Sequence, residues 1–191
     1  MKSIGFTLRT VLAWLFILNA TNGEIKIVNK LSRPIYLQSV SNTARPLRTL
    51  SANGGWYNED WQINPEGGGI SIKMAVQRDM NDIIQFEYTV RDNVVYWDVS
   101  LIDAKSNSPF INEGFTVIPD RPGCKSSICE PFDTYCRDVY FHPNDNYAVR
   151  GCSQAVNLQM FIGHGRNPIE PRERYKGYSE EAFAMLPPVA V

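Results

Sequence analysis

Apolar and polar residues alternate with a period of two along much of this chain. Ile70, Ile72, Met74 and Val76 alternate with Ser71, Lys73, Ala75 and Gln77. Ile84, Phe86, Tyr88 and Val90 alternate with Gln85, Glu87 and Thr89. This is the pattern of strands with one face buried and one wet. It predicts strands over Ile70–Gln77 and Asp82–Val90, and the polar break Arg91-Asp92-Asn93 predicts a hairpin into Val94–Leu101. Weaker versions of the pattern predict strands at Glu24–Lys30, Pro34–Val40, Trp56–Ile63, Gly114–Ile118 and Val156–Ile162. Asn53-Gly54-Gly55 and Pro65-Glu66-Gly67-Gly68-Gly69 are turns. Ala104–Asn112 reads as a loop, and Pro119–His142 as an irregular, cysteine-bearing region. No long helical period and no internal repeat are visible. Many short strands with turn signals about every 8–12 residues predict an all-β sandwich.

The two ends differ from this pattern. Lys2 and Arg9 precede an apolar run, Val11–Leu18, and small residues follow at Thr21-Asn22-Gly23. That is the layout of an export signal. The run is shorter than the roughly 20 apolar residues a membrane span needs, so no membrane span is expected. We place the signal at residues 1–23, the sandwich at 24–163 and a flexible, charged, Pro-containing tail at 164–191, with one helical turn expected at Glu180–Met185. The only Asn-x-Ser/Thr sequon without proline, Asn19-Ala20-Thr21, falls inside the signal.

Composition narrows the partners. The net charge is −1, and removal of Lys2 and Arg9 makes the mature chain more acidic still. Nucleic acid is therefore not an expected partner. The chain has 4 cysteines and 2 histidines. Cys124, Cys129, Cys136 and Cys152 contain no CxxC pair, so two disulfides are expected and no metal; three pairings are open. Gly67–Gly69 lacks the Lys and Ser/Thr of a phosphate-binding loop. His142 and His164 have no serine signature with which to build a triad. No cofactor is expected.

Chemistry concentrates on Val94–Asp103 and the strand before it. Glu87, Asp98 and Asp103 place three carboxylates on adjacent strands. Glycoside hydrolysis needs one protonated and one ionised carboxyl about 5–9 Å apart. Mutual repulsion of close carboxylates raises a pKa in the required direction. The plainer alternative is that these acids sit on a solvated face or hold loops. Trp56, Tyr57, Trp61 and Trp97 can stack on sugar rings or fill the core.

Tyr96-Trp97-Asp98-Val99-Ser100-Leu101-Ile102-Asp103, followed by Pro109-Phe110, resembles the central signature of thaumatin-like proteins. Phe86-Glu87-Tyr88-Thr89-Val90, Arg48-Thr49-Leu50 with Trp56, and Cys124-x4-Cys129 after Pro122-Gly123 resemble further steps of that family in the same order. Cys136, Val139-Tyr140, Pro143-Asn144-Asp145, Ala148 and Cys152 mirror the ending of its small fungal branch, the yeast-phase-specific antigen (Bys1-type) group. The resemblance covers roughly Glu24–Gly163. It implies a thaumatin-like antiparallel β-sandwich with a small disulfide-linked loop region, and the nested pairing Cys124–Cys152 and Cys129–Cys136. One family disulfide is missing at both ends, where this chain has Leu31 and Phe161-Ile162. The resemblance also implies an acidic cleft with Glu87, Asp98, Asp103 and Asp145. The family's cleft arginine would fall where this chain has Gly69 and Ile70, which leaves the cleft without its basic member.

The expected ligand-binding set is Glu87, Asp98, Asp103, Asp145 and Trp97, with Glu87, Asp98 and Asp103 the residues to act if the protein is hydrolytic. The function this predicts is a secreted, monomeric, non-enzymatic protein that contacts cell-wall β-glucan. The alternatives are an effector or antigen that binds a host extracellular protein, and a weak endo-β-1,3-glucanase.

Overall fold

The computed structural model describes residues 22–163. The expected signal, the tail and its helical turn lie outside the described residues, apart from Asn22 and Gly23. Eleven strands form two sheets. They are β1 (Glu24–Asn29), β2 (Ile35–Val40), β3 (Arg48–Leu50), β4 (Trp56–Asp60), β5 (Ile70–Ala75), β6 (Ile83–Arg91), β7 (Val94–Ser100), β8 (Phe115–Pro119), β9 (Ser127–Cys129), β10 (Arg150–Ser153) and β11 (Leu158–Ile162). A five-stranded sheet runs β4-β1-β11-β8-β9 and a six-stranded sheet runs β10-β7-β6-β5-β2-β3.

Each predicted strand is present, with ends shifted by up to three residues. The short strands β3, β9 and β10 carry too few residues to show an alternation. Pro109–Glu113, expected as a loop, is a short helix, α1. Ser108 starts it: the side chain accepts from the Phe110 N–H, and Pro109 fills a first-turn position where no N–H is needed. All pairings are antiparallel except β1 with β11, which run parallel. These two strands lie at opposite ends of the domain, so the rest of the chain supplies the long crossover that a parallel pair requires.

The β6–β7 hairpin sets the geometry of the functional face. Asp92 and Asn93 both take positive φ, 54° and 61°. That two-residue turn matches the twist of the flanking strands and fixes their register. Phe86 and Trp97 then point inward and stack, with ring centroids 5.7 Å apart. Glu87 and Asp98, one residue on, point outward as direct cross-strand partners.

The core between the sheets holds Ile25, Ile27, Ile72, Met74, Phe86, Trp97, Phe115 and Met160, all fully buried. It also holds one carboxylate. Glu59 is 4 % exposed and accepts from Tyr57 Oη at 2.7 Å, Tyr88 Oη at 2.6 Å and Arg45 Nη1 at 3.0 Å. Burial and the adjoining carboxylate push the Tyr57 hydroxyl up to about 12 and the Tyr88 hydroxyl up further. Both phenols stay protonated in the folded state above the pH at which they ionise in the unfolded chain. Their contribution is complete below about pH 10 and is lost as pH rises from there. Glu59→Gln replaces a charged acceptor with a half-donor facing three donors. We expect it to lower stability by about 2 kcal/mol in urea unfolding at neutral pH.

Cys124 bonds Cys152 and Cys129 bonds Cys136, the second bridge nested inside the first. Where the family has a further disulfide, Leu31 is buried against Gly163. A Cβ on Gly163 would lie 2.6 Å from Leu31 Cδ2, so apolar packing fills that place and glycine is required opposite it. The inner bridge closes a loop that displays Phe132 and Tyr135, 73 % and 89 % exposed. Phe132 has φ 63°, held by its N–H donating to the Ile111 carbonyl at 2.8 Å. A bulky side chain there is strained. Phe132→Gly is expected to stabilise by about 1 kcal/mol, read as a higher Tm.

Candidate functional site

Strand register builds a cleft on the outer face of the six-stranded sheet. One row reads Val40, Ser71, Glu87 and Asp98 across β2, β5, β6 and β7. The next row reads Thr89, Tyr96 and Gly151 across β6, β7 and β10. With Gly69 and Val149 at the margins these residues, apart from Gly151, line an open cleft of about 430 Å³. Glycine shapes both ends of the second row. A Cβ on Gly69 would stand 3.0 Å from Thr89 Oγ1, and one on Gly151 would stand 3.3 Å from the Tyr96 ring. The Tyr96 ring therefore lies close over the Gly151 backbone, and it remains 45 % exposed.

The floor carries the acid pair. Asp98 is half-buried and its Oδ1 is buried without a hydrogen-bond partner. Burial, then the charge of Glu87, push its carboxyl up to about 7, against the pull of Arg150. Glu87 is also raised, chiefly by burial and slightly by Asp103, while Lys73 and the Ser71 hydroxyl pull it down. Two carboxyls directly opposite on adjacent strands resist ionising together. Asp98 therefore keeps its proton up to about pH 7. Such a pair offers a neutral ligand both a hydrogen-bond donor and a strong acceptor.

The other expected site residues lie elsewhere. Asp103 is exposed in the turn after β7 and accepts from Gln85 Nε2 at 3.0 Å, and Gln85 accepts from Ser71 Oγ at 3.0 Å. It touches the floor through this relay and does not line the cleft. Asp145 accepts from the Phe141 and His142 N–H groups at 3.0 and 2.9 Å, and these bonds hold its carboxyl below the ordinary range. It closes a loop. Trp97 is 0 % exposed, its Nε1 3.4 Å from Cys152 Sγ, and cannot meet a ligand in the cleft. Trp61 is core as well, and Trp56 and Tyr57 sit on β4 of the other sheet.

The aromatic residue at the cleft is Tyr96, which sequence reading passed over. Parity was the available signal: if Asp98 faces outward, Tyr96 faces outward and Trp97 faces inward. Two basic residues stand near the acid pair, although neither lines the cleft. Lys73 lies on the same face of β5 and stabilises the Glu87 charge. Arg150 sits over the Trp97 ring at 5.3 Å and is tied to Asp138 at 2.7 Å.

Comparisons with known proteins agree with this architecture. The family model of Bys1, Blastomyces yeast-phase-specific protein, matches residues 12–163. The chain is 42 % identical over 142 residues to the secreted thaumatin-like protein calA of Emericella nidulans, covering 74 % of this chain and 82 % of that one. It is 33 % identical over 160 residues to an antigenic thaumatin-like protein of Arthroderma benhamiae, covering 84 % and 80 %. The crystal structure of the protein elicitor MoHrip2 from Magnaporthe oryzae shares the fold, with a TM-score of 0.60 at 22 % identity over 74 % of this chain and 98 % of that one. The two disulfides fit an oxidising, extracellular setting. The chain belongs to the Bys1 family and is a secreted thaumatin-like protein.

Proposed function

We propose that this protein binds neutral β-glucan of the cell wall in the cleft over Glu87 and Asp98, without hydrolysing it. The observation that carries the reading is the Tyr96 ring, seated on Gly151 beside the Glu87–Asp98 pair. A flat apolar surface next to paired donors and acceptors matches the faces and hydroxyls of a pyranose ring. An acidic floor disfavours anionic glycans. The position of the acids favours binding over cleavage. Hydrolysis needs carboxyls on either side of the scissile bond. Here Glu87 and Asp98 are neighbours in one row of the floor, and Asp103 is held away by Gln85.

The test is co-sedimentation with insoluble β-1,3-glucan, chitin and cellulose. Selective retention on glucan, reduced about 10-fold or more in Glu87→Gln, supports the reading; equal retention on all three polymers sinks it. Release of reducing sugar that Glu87→Gln abolishes would replace binding with hydrolysis. A second reading, an effector or antigen that binds a host protein, draws on Phe132 and Tyr135, displayed on a disulfide-closed loop at a cost in backbone strain.

A further inference from the structure

The small residues Thr21-Asn22-Gly23 after the apolar run predict signal cleavage after Gly23. The contacts of Asn22 and Gly23 point elsewhere. The Gly23 N–H donates to the Gln154 carbonyl at 2.9 Å, and the Gly23 carbonyl accepts from the Trp61 N–H at 3.0 Å. The Asn22 side-chain oxygen accepts from Gln154 Nε2 at 2.7 Å. Gly23 is buried, and a Cβ there would lie 1.7 Å from the Val156 carbonyl oxygen and 2.9 Å from Trp61 Nε1. No side chain fits, so the position demands glycine for reasons of packing.

These contacts join the two sheets at one end of the sandwich. Trp61 follows β4 of the five-stranded sheet, and Gln154 follows β10 of the six-stranded sheet. Gln154 also donates its N–H to the Asn93 carbonyl in the β6–β7 turn, and Trp61 Nε1 donates to the Val156 carbonyl. A chain beginning at Glu24 would leave the N–H of Trp61, a residue only 5 % exposed, without its acceptor.

We propose that the signal is cut at the Ala20–Thr21 bond, and that Asn22-Gly23 remain in the secreted protein as a clasp between its sheets. Ala20 supplies the small residue that signal peptidase accepts before the cut, two residues past the apolar run, with Leu18 at the third position before it. Hydrolysis there places water's hydroxyl on the Ala20 carbonyl carbon and its proton on the Thr21 nitrogen. Gly23, three residues further on, is then selected by the fold and not by the protease.

The full precursor is secreted from a fungal host, and the mature product is read by N-terminal sequencing and by intact mass after reduction. A start at Thr21 is expected; a start at Glu24 overturns the proposal. Gly23→Ala separates the two roles of this glycine. Alanine serves a signal peptidase as well as glycine does, so the change is silent if Gly23 is removed with the signal. If Gly23 is retained, the added methyl breaks the clasp and Tm falls by about 5 °C or more. Should that variant not accumulate, Gln154→Ala keeps the backbone bonds and loses only the Asn22 contact. It is expected to lower Tm by about 2 °C, and no change would count against the clasp.

Discussion

Asp98→Asn is expected to stabilise the protein at pH 7.5 and to leave it unchanged at pH 4. Asp98 has an ordinary carboxyl affinity in the unfolded chain and holds its proton up to about pH 7 in the fold. Between about pH 4 and pH 7 the folded state binds the extra proton, so wild-type stability is full below that window and falls as pH rises through it. Above pH 7 the fold carries an ionised, half-buried carboxylate opposite Glu87, with Oδ1 lacking a partner. At roughly 1.4 kcal/mol per pKa unit the ionised form costs up to about 4 kcal/mol. Residual solvation reduces this, and we expect a gain of about 2–3 kcal/mol, or about 5–10 °C in Tm. Thermal unfolding of both proteins at pH 4, 5.5 and 7.5 checks it. A variant less stable than wild type at pH 7.5 would mean that the ionised carboxylate is paired with Arg150 and that burial does not hold a proton on Asp98.

Loss of the outer disulfide should act in the opposite direction. Cys124 and Cys152 are 28 residues apart and each is 6 % exposed. On the chain-entropy model, Cys124→Ala/Cys152→Ala costs about 3–4 kcal/mol, and the inner bridge, spanning 7 residues, about 2 kcal/mol. Trp97 Nε1 also loses its contact with Cys152 Sγ. The effect reaches the cleft, because Cys152 anchors β10 next to Gly151, on which the Tyr96 ring rests. The outer double variant should therefore unfold at lower urea and hold glucan less tightly when still folded. The inner double variant should lose stability and keep its retention. Equal losses of stability from the two bridges would refute the loop-length account.

The sequence made the long strands legible because each alternates apolar and polar residues over at least three pairs. That alternation placed β5 and β6, and the polar break Arg91-Asp92-Asn93 placed β7 beside them, Glu87 and Asp98 on adjacent strands. It failed where tertiary contacts decide. The parallel pairing of β1 with β11 leaves no local trace, and Arg48–Leu50 and Ser127–Cys129 are strands only because a neighbour pairs with them. Glu59 lies on the edge strand β4, yet Tyr57, Tyr88 and Arg45 surround it in the interior. The site was half legible. Composition drew the eye to the tryptophans, although Trp97 shares the inward parity of Val95 and Val99, and Tyr96 shares the outward parity of Asp98. Asp103 and Asp145 matched in sequence, but Gln85 and the Phe141–His142 backbone claim their oxygens.

The central claim is that Tyr96 and the acid pair form one glycan-binding surface. The measurement that tests it most directly is a binding isotherm on insoluble β-1,3-glucan at pH 5.5, comparing wild type with Tyr96→Ala. Tyr96 is half exposed and makes no core contact through its ring, so the variant should keep its Tm within about 2 °C. The account predicts retention at least 10-fold weaker with the fold intact. Unchanged retention in a folded Tyr96→Ala protein would contradict it and move the binding surface away from this cleft.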